Sequence, residues 1–241
     1  MFLNAKVLSH CANIRHTKKY SEKMTKLIIF DLDGTLLDTR EDIARGCNHA
    51  LRACGYPEHD TDDFNRMVGR GIYNMLLAAM PEECRCEDRL EVMVKHFMPY
   101  YHEHIADFTV PYPGIMELMD KLSEEGIRIA VASNKYQSGT EALIEKFFGR
   151  HDLLKVLGQR DGYPIKPDPG VILEIMEDMP GLKKEEVVYC GDSDVDMQTG
   201  NNAGVRTIGV TWGFRSREEL LANNPWLLAD NVDDILSAVL K

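Results

Sequence analysis

The sequence predicts an α/β protein with a doubly wound parallel sheet and an all-helical segment inserted after the first strand. Three observations lead to this prediction. Residues 26–30 form a short run rich in aliphatic and aromatic side chains, typical of a strand buried on both faces. Residues 39–109 show helical periodicity with almost no strand pattern. From residue 110 onward, helix and strand patterns alternate.

Each element has its own signal along the chain. The first strand stops abruptly at the polar run Asp31–Thr35, and Pro57 and Pro81 mark helix boundaries in the inserted segment. Apolar residues at helical spacing predict a helix over 115–122, which Gly126 terminates. The elements predicted after it are a strand at 127–132, a helix near 137–148, a short strand at 156–158, a helix near 168–178, a strand at 187–190, a helix near 195–203 and a strand at 205–210.

The chain divides into three predicted parts. Residues 25–38 and 110–241 form the α/β core, and residues 39–109 form the helical insertion. Residues 1–24 hold five basic side chains and one acidic side chain, a charge of +4 that leaves −15 on the remainder. This leader lacks the apolar run of a secretory signal. It is either a transit peptide or an extension before a true start at Met24, and the second interpretation is favoured.

The composition excludes several classes of protein. The 241 residues include 28 Lys and Arg against 39 Asp and Glu, a net charge of −11, which argues against nucleic-acid and anionic-membrane partners. No stretch approaches the roughly 18 apolar residues of a membrane span. The six cysteines have no metal-site spacing and indicate reduced thiols in a cytoplasmic protein. Monomer and homodimer both stay open.

Polar residues follow the ends of several predicted strands. These residues are Asp31 and Asp33, Ser133 and Asn134, Lys166, and the run Gly191–Asp196. Parallel strands end at one edge of a sheet, so we expect the four groups to meet in one crevice. Carboxylates packed together take up protons unless a cation neutralises them, and hard oxygen ligands without His or Cys suit Mg²⁺. Such a site fits a small phosphorylated substrate.

The same residues resemble a known family. Asp31–Leu36, Ser133–Asn134, Lys166–Pro169 and Gly191–Asp196 are similar, in order and spacing, to the four motifs of the haloacid dehalogenase superfamily of phosphotransferases. The resemblance covers residues 25–241 and implies a Rossmann-like core in which the helical insertion is a C1 cap. Residues 210–216 also resemble a stretch common in the phosphoglycolate phosphatase branch.

The resemblance implies a role for each catalytic residue. Asp31 would attack phosphorus and form a phosphoaspartyl intermediate, while Asp33 would protonate the leaving oxygen and later deprotonate water. Ser133 would bind a phosphoryl oxygen with Asn134 beside it, and Lys166 would neutralise the nucleophile and the phosphate.

The resemblance also implies the metal ligands. Asp31, the backbone carbonyl of Asp33 and Asp192 would hold Mg²⁺, with Asp196 as a further partner to the metal or to Lys166. Thr35, which would orient Asp33, is assigned with Asn134 to the substrate-binding set.

Several alternatives stay open at this stage. Arg70, between two glycines, is either a clamp for a substrate carboxylate or second phosphate, or an exposed arginine in a turn. The favoured function is hydrolysis of a phosphomonoester, with phosphoglycolate as the first candidate. The alternatives are a phosphomutase similar to β-phosphoglucomutase and a non-catalytic binding protein on the same fold.

Overall fold

The computed structural model describes residues 24–240. Within that range the chain forms eight strands: β1 (Leu27–Phe30), β2 (Leu37–Asp38), β3 (Val110–Pro111), β4 (Arg128–Tyr136), β5 (Leu153–Gln159), β6 (Val187–Gly191), β7 (Arg206–Val210) and β8 (Leu227–Ala229). Six of them make one sheet in the order β5-β4-β1-β6-β7-β8, and all neighbours are parallel. Crossovers run to both sides of β1, so the sheet is doubly wound.

Ten α-helices connect these strands within the described range. They are α1 (Arg40–Ala53), α2 (Phe64–Met67), α3 (Ile72–Ala79), α4 (Glu87–Glu103), α5 (Ile115–Glu124), α6 (Gln137–Phe148), α7 (Gly170–Glu177), α8 (Asp194–Ala203), α9 (Arg217–Ala222) and α10 (Val232–Val239). Helices α1 to α4 all lie between β2 and β3, and we call them the cap.

Both faces of the sheet are buried. Along β1, Ile28 and Phe30 pack into the cluster that continues into the cap, whereas Leu27 and Ile29 pack into a second cluster with α7 on the opposite face. Side chains of consecutive strand residues point to opposite faces, so an unbroken apolar strand fits a sheet covered on both sides. The apolar run in the sequence is explained by this double burial.

The two chain segments that connect the cap to the core are tied together. Leu37 and Asp38 of β2 pair in antiparallel fashion with Pro111 and Val110 of β3. Next to this pair, the buried carboxylate of Asp42 accepts hydrogen bonds from the Phe108 and Thr109 backbone amides and from the Thr109 hydroxyl. These contacts fix the place where the chain leaves and re-enters the core.

The predicted fold class is confirmed, and the structure differs from the prediction in the lengths of individual strands and in several additional elements. The strand predicted at 127–132 continues to Tyr136, and the strand predicted at 156–158 spans Leu153–Gln159. The C-terminal elements α9, β8 and α10 were not predicted. The leader predicted at 1–24 lies outside the described residues except for Met24. In the part of the chain described, no helix is long and apolar enough to cross a membrane.

Candidate active site

The loop after β1 turns sharply and brings two carboxylates to the sheet edge. The Asp31 amide still pairs with the Cys190 carbonyl of the neighbouring strand, at 2.8 Å. Gly34 then takes φ 85°, a left-handed conformation that glycine adopts without steric cost, and its amide donates to the Leu37 carbonyl. The tight turn fixes Asp31 and Asp33 at the end of the central strand.

Lys166 is a buried cation held by several groups. Its ammonium lies 2.8 Å from an Asp31 carboxylate oxygen and 2.7 Å from an Asp196 carboxylate oxygen, and it also donates to the Tyr189 hydroxyl and the Ala132 carbonyl. Burial lowers the pKa of Lys166, but the two carboxylates outweigh that effect and raise the pKa above its usual value. Lys166 therefore stays charged between its partners.

Three buried carboxylates form an acid cluster beside Lys166. Oxygen atoms of Asp31, Asp192 and Asp196 all lie within 4.8 Å of one another. Burial raises the pKa of Asp192 to about 7, and the charge of Asp196 adds to this increase. Burial also raises the pKa of Asp31 well above its usual range, against the lowering effect of Lys166. The raised pKa values show that ionising these buried carboxylates is unfavourable without added positive charge. Hard oxygen donors of this kind are suited to binding a divalent cation.

Asp192 is oriented by groups from two other segments. Thr35 donates its hydroxyl to one carboxylate oxygen of Asp192 at 3.0 Å, and the Phe214 amide donates to the other at 2.8 Å. A Cβ atom on Gly34 would lie 2.4 Å from that second oxygen, so only glycine leaves room for the carboxylate there. The expectation that Thr35 orients Asp33 is corrected, because its hydroxyl points to Asp192 instead. Thr35 is fully buried and does not line the cavity that lies between the cap and the sheet edge.

The end of β4 contributes Ser133 and Asn134. The Asn134 side chain accepts the Lys166 amide at 2.9 Å and donates to the carbonyls of Lys166 and Gly69. Its amide group therefore fixes the backbone of Lys166 and contacts the cap. Ser133 lies on the wall of the cavity, and its hydroxyl oxygen accepts the Lys135 amide at 3.2 Å.

Sequence reasoning missed Lys135 and Tyr101. The Lys135 ammonium lies 3.1 Å and 3.2 Å from the two carboxylate oxygens of Asp33 and 2.6 Å from the Tyr101 hydroxyl. Lys135 directly follows Ser133 and Asn134 in the sequence, and this adjacency is the signal that could have placed Lys135 in the site. Tyr101 lies on α4, and no local pattern distinguished it from the apolar residues of the cap core.

Arg70 lies at the boundary between cap and core. Its guanidinium pairs with Asp194 at 2.7 Å, and its side chain is about half exposed. It is not among the residues that line the cavity, although Gly69 and Gly71 are. The buried Arg215 of the core also crosses this boundary and donates to the backbone carbonyls of Asn65 and Val68.

A cavity of about 40 Å³ lies between the cap and the sheet edge. The core side contributes polar groups, and the cap side contributes mainly apolar groups. The core residues are Asp31, Asp33, Ser133, Asn134, Lys135 and Lys166, and the cap residues are Ile43, Val68, Gly69, Gly71, Ile72, Met75, Phe97 and Tyr101. The predicted catalytic residues Asp31, Asp33, Ser133 and Lys166 thus share one cavity, and Asp192 and Asp196 lie directly behind them.

A doubly wound core with a buried cluster of carboxylates and a lysine beneath a helical cap is an arrangement suited to phosphoryl transfer. A family model described as haloacid dehalogenase-like hydrolase matches residues 28–210. The chain therefore belongs to the haloacid dehalogenase-like hydrolase family.

Relatives of the chain point to the branch of this family. A phosphoglycolate phosphatase from Agrobacterium fabrum is 34% identical over 197 residues, covering 80% of this chain and 84% of the relative. One from Mesorhizobium japonicum is 32% identical, covering 79% and 85%. A solved structure from Lactobacillus delbrueckii subsp. bulgaricus, provisionally assigned as a phosphoglycolate phosphatase, has a TM-score of 0.83 and 30% identity and covers 90% and 99%. Together with the acid cluster, these relatives identify the chain as a phosphatase.

Proposed function

We propose that this phosphatase is a Mg²⁺-dependent phosphomonoesterase that works through phosphorylation of Asp31, with phosphoglycolate as the first candidate substrate. One observation carries the proposal. The buried Lys166 ammonium bridges Asp31 and Asp196 inside a cluster that also contains Asp192. A nucleophilic carboxylate must approach a negatively charged phosphate, and fixed positive charge at that point lowers the barrier.

The residues that would hold Mg²⁺ are Asp31, the backbone carbonyl of Asp33, and Asp192. Asp196 is engaged by Lys166, Tyr189 and Ser193 and supports the cluster from behind. When bound, the ion supplies positive charge that offsets the carboxylates and the phosphoryl oxygens. The raised pKa of Asp192 supports this assignment, because the protein groups around Asp192 do not fully compensate the negative charge of its ionised form.

The reaction proceeds in two displacements at phosphorus. A carboxylate oxygen of Asp31 attacks phosphorus, the bond between phosphorus and the ester oxygen breaks, and Asp33 gives its proton to that leaving oxygen. Asp33 then takes a proton from water, whose oxygen attacks phosphorus. The bond from phosphorus to Asp31 breaks and inorganic phosphate leaves, so Asp31 returns to its ionised form and Asp33 to its protonated form.

The surrounding residues bind and orient the phosphoryl group. The Ser133 hydroxyl donates a hydrogen bond to a phosphoryl oxygen. The Lys166 ammonium stabilises the negative charge that develops during transfer of the phosphoryl group. Asn134 keeps Lys166 in position through the Lys166 backbone. The cap excludes water during the first displacement, so that phosphate is transferred to Asp31 rather than to solvent.

The choice of substrate depends on the cap. The cap contributes mainly apolar groups to the cavity, so the cap side chains decide which phosphate ester fits there. The phosphoglycolate phosphatases among the relatives support phosphoglycolate as the first candidate. Arg70 remains our candidate for binding the substrate carboxylate, a role in which its guanidinium exchanges Asp194 for the substrate.

We also propose that the protein works in the cytoplasm. Cys47, Cys54, Cys84, Cys86 and Cys190 are all free thiols in the described structure. Free thiols at several sites favour a reducing compartment.

Phosphate release tests the proposed function directly. Wild type should release phosphate from phosphoglycolate and from p-nitrophenyl phosphate in the presence of Mg²⁺, and Asp31→Asn should release none from either. A wild type that hydrolyses p-nitrophenyl phosphate but prefers another metabolite would contradict only the substrate assignment. Turnover that requires a sugar bisphosphate without release of phosphate would overturn the hydrolase in favour of a mutase.

A further inference from the structure

Asp33 differs from the other acids of the site in how it is held. Asp31, Asp192 and Asp196 are each fixed by groups of the core alone. Among the described residues, the hydrogen bonds to the Asp33 carboxylate all come from one donor, the Lys135 ammonium. The direction of the Asp33 side chain therefore depends on where Lys135 is placed.

Lys135 is in turn fixed from the cap side. Its side chain is almost completely buried, and its ammonium donates to the Tyr101 hydroxyl at 2.6 Å and lies 4.8 Å from the centre of the Tyr101 ring. An ammonium has three protons, so two bonds to Asp33 and one to Tyr101 use its full capacity. Both of its neighbours contribute to its orientation.

Tyr101 itself has a fixed place in the cap. It is fully buried on α4, and its ring stacks on Phe97 with centroids 4.9 Å apart. A Cβ atom on Gly46 of α1 would come within 3.1 Å of the Tyr101 ring, so the glycine leaves room for it. The position of the hydroxyl therefore follows the position of the cap.

We propose that Tyr101 and Lys135 are positioning residues for the general acid, through which the docked cap holds Asp33 in place for proton transfer to the leaving oxygen. This inference rests on the proposed function. Proton transfer requires the donor to lie within hydrogen-bond distance of the acceptor, so a carboxyl group held in one direction transfers its proton more often. A cap that is not docked leaves Asp33 without this support.

A comparison of leaving groups tests the proposal. An alkyl phosphate such as phosphoglycolate needs a proton on its leaving oxygen, whereas p-nitrophenolate leaves as a stable anion. Tyr101→Phe removes the hydroxyl and keeps the ring, so we expect kcat/KM to fall about tenfold for an alkyl phosphate that wild type hydrolyses and less than about twofold for p-nitrophenyl phosphate. The ratio kcat/KM is used because it reports the steps up to departure of the leaving group.

Tyr136→Phe is the matched control. The Tyr136 hydroxyl is buried near Tyr101 and has no hydrogen-bond partner among the described residues, so its removal should leave kcat/KM unchanged for both substrates. Lys135→Met provides a second variant, and we expect a larger loss in the same direction, again selective for the alkyl phosphate. The proposal would be overturned if Tyr101→Phe and Lys135→Met lowered kcat/KM equally for the two substrates, or if neither variant lowered it. Failure of wild type to hydrolyse both substrates would instead overturn the proposed function.

Discussion

The ammonium of Lys166 lies 2.7 Å from the carboxylate of Asp196, and both side chains are buried in the core. A buried charge is stable only when its partner is present. This pair therefore links the proposed catalytic role of Lys166 to the stability of the fold.

Lys166→Met should lower both activity and stability. We expect kcat to fall by at least about a hundredfold, because positive charge is lost where negative charge develops. The free energy of unfolding at about pH 8 should fall by about 3 kcal/mol, because Asp31 and Asp196 lose their shared partner. Steady-state kinetics and urea unfolding measure the two effects. Lys155→Met, at a half-buried ion pair on β5, is the control and should change neither strongly. Full activity in Lys166→Met would contradict the assigned role.

Thr35→Val should weaken the response to Mg²⁺. Valine has nearly the same shape as threonine but cannot donate to Asp192, so the carboxylate loses one of its two orienting bonds. The Mg²⁺ concentration for half-maximal activity should rise about tenfold. Within residues 24–240 the buried Thr39 hydroxyl has no hydrogen-bond partner, which makes Thr39→Val a matched control. An unchanged Mg²⁺ dependence in Thr35→Val would refute the positioning of Asp192 by Thr35.

Stabilisation by Mg²⁺ should increase with pH. Burial raises the pKa of Asp192 to about 7 in the folded chain, above its value in the unfolded chain. The folded protein therefore retains a proton that the unfolded chain has lost, and this group's contribution to the free energy of unfolding falls as pH rises towards about 7. Mg²⁺ must displace that proton below about pH 7 but not above it.

Thermal unfolding with and without Mg²⁺ measures this effect. The increase in Tm on adding Mg²⁺ should be larger at about pH 8 than at about pH 5.5. Asp192→Asn should lose most of the increase at both pH values. An increase of the same size at the two pH values in wild type would contradict the assignment of Asp192 as a ligand.

Arg215→Lys should loosen the docked cap. The Arg215 guanidinium donates to two cap carbonyls, those of Asn65 and Val68, and a single ammonium cannot reproduce this forked geometry. We expect kcat/KM to fall about tenfold, with faster amide hydrogen exchange in residues 64–80. Arg217→Lys, at an exposed pair with Asp230, is the control. Unchanged exchange in the cap would show that Arg215 does not hold it.

The core of the site could be predicted because its residues follow strand ends. Asp31 lies directly after β1 and Asp192 directly after β6, and parallel pairing of those strands brings the two together. Strand position is a local property, so apolar runs and the polar residues after them were enough. Ser133 and Asn134 reach the same crevice from within β4, which continues to Tyr136, and Lys166 reaches it from the loop between β5 and α7.

Other contacts depend on packing that no local pattern encodes. Thr35 contacts Asp192 across 157 residues of sequence, and the turn at Gly34 decides which acid its hydroxyl reaches. Lys135 contacts Tyr101 only because the cap docks on the end of β4. The ion pair between Arg70 and Asp194 likewise forms because the cap docks on the core. These pairings become visible only when the relative position of cap and core is known.

The central claim, that Asp31 carries the phosphoryl group, is tested most directly by rapid acid quenching of the Mg²⁺-loaded enzyme during turnover, followed by mass spectrometry of its peptides. We predict a phosphoryl group on the peptide that contains Asp31, located on Asp31 itself, and none in Asp31→Asn. A phosphoryl group on another residue, or steady turnover with no phosphorylated peptide at any quench time, would contradict the claim.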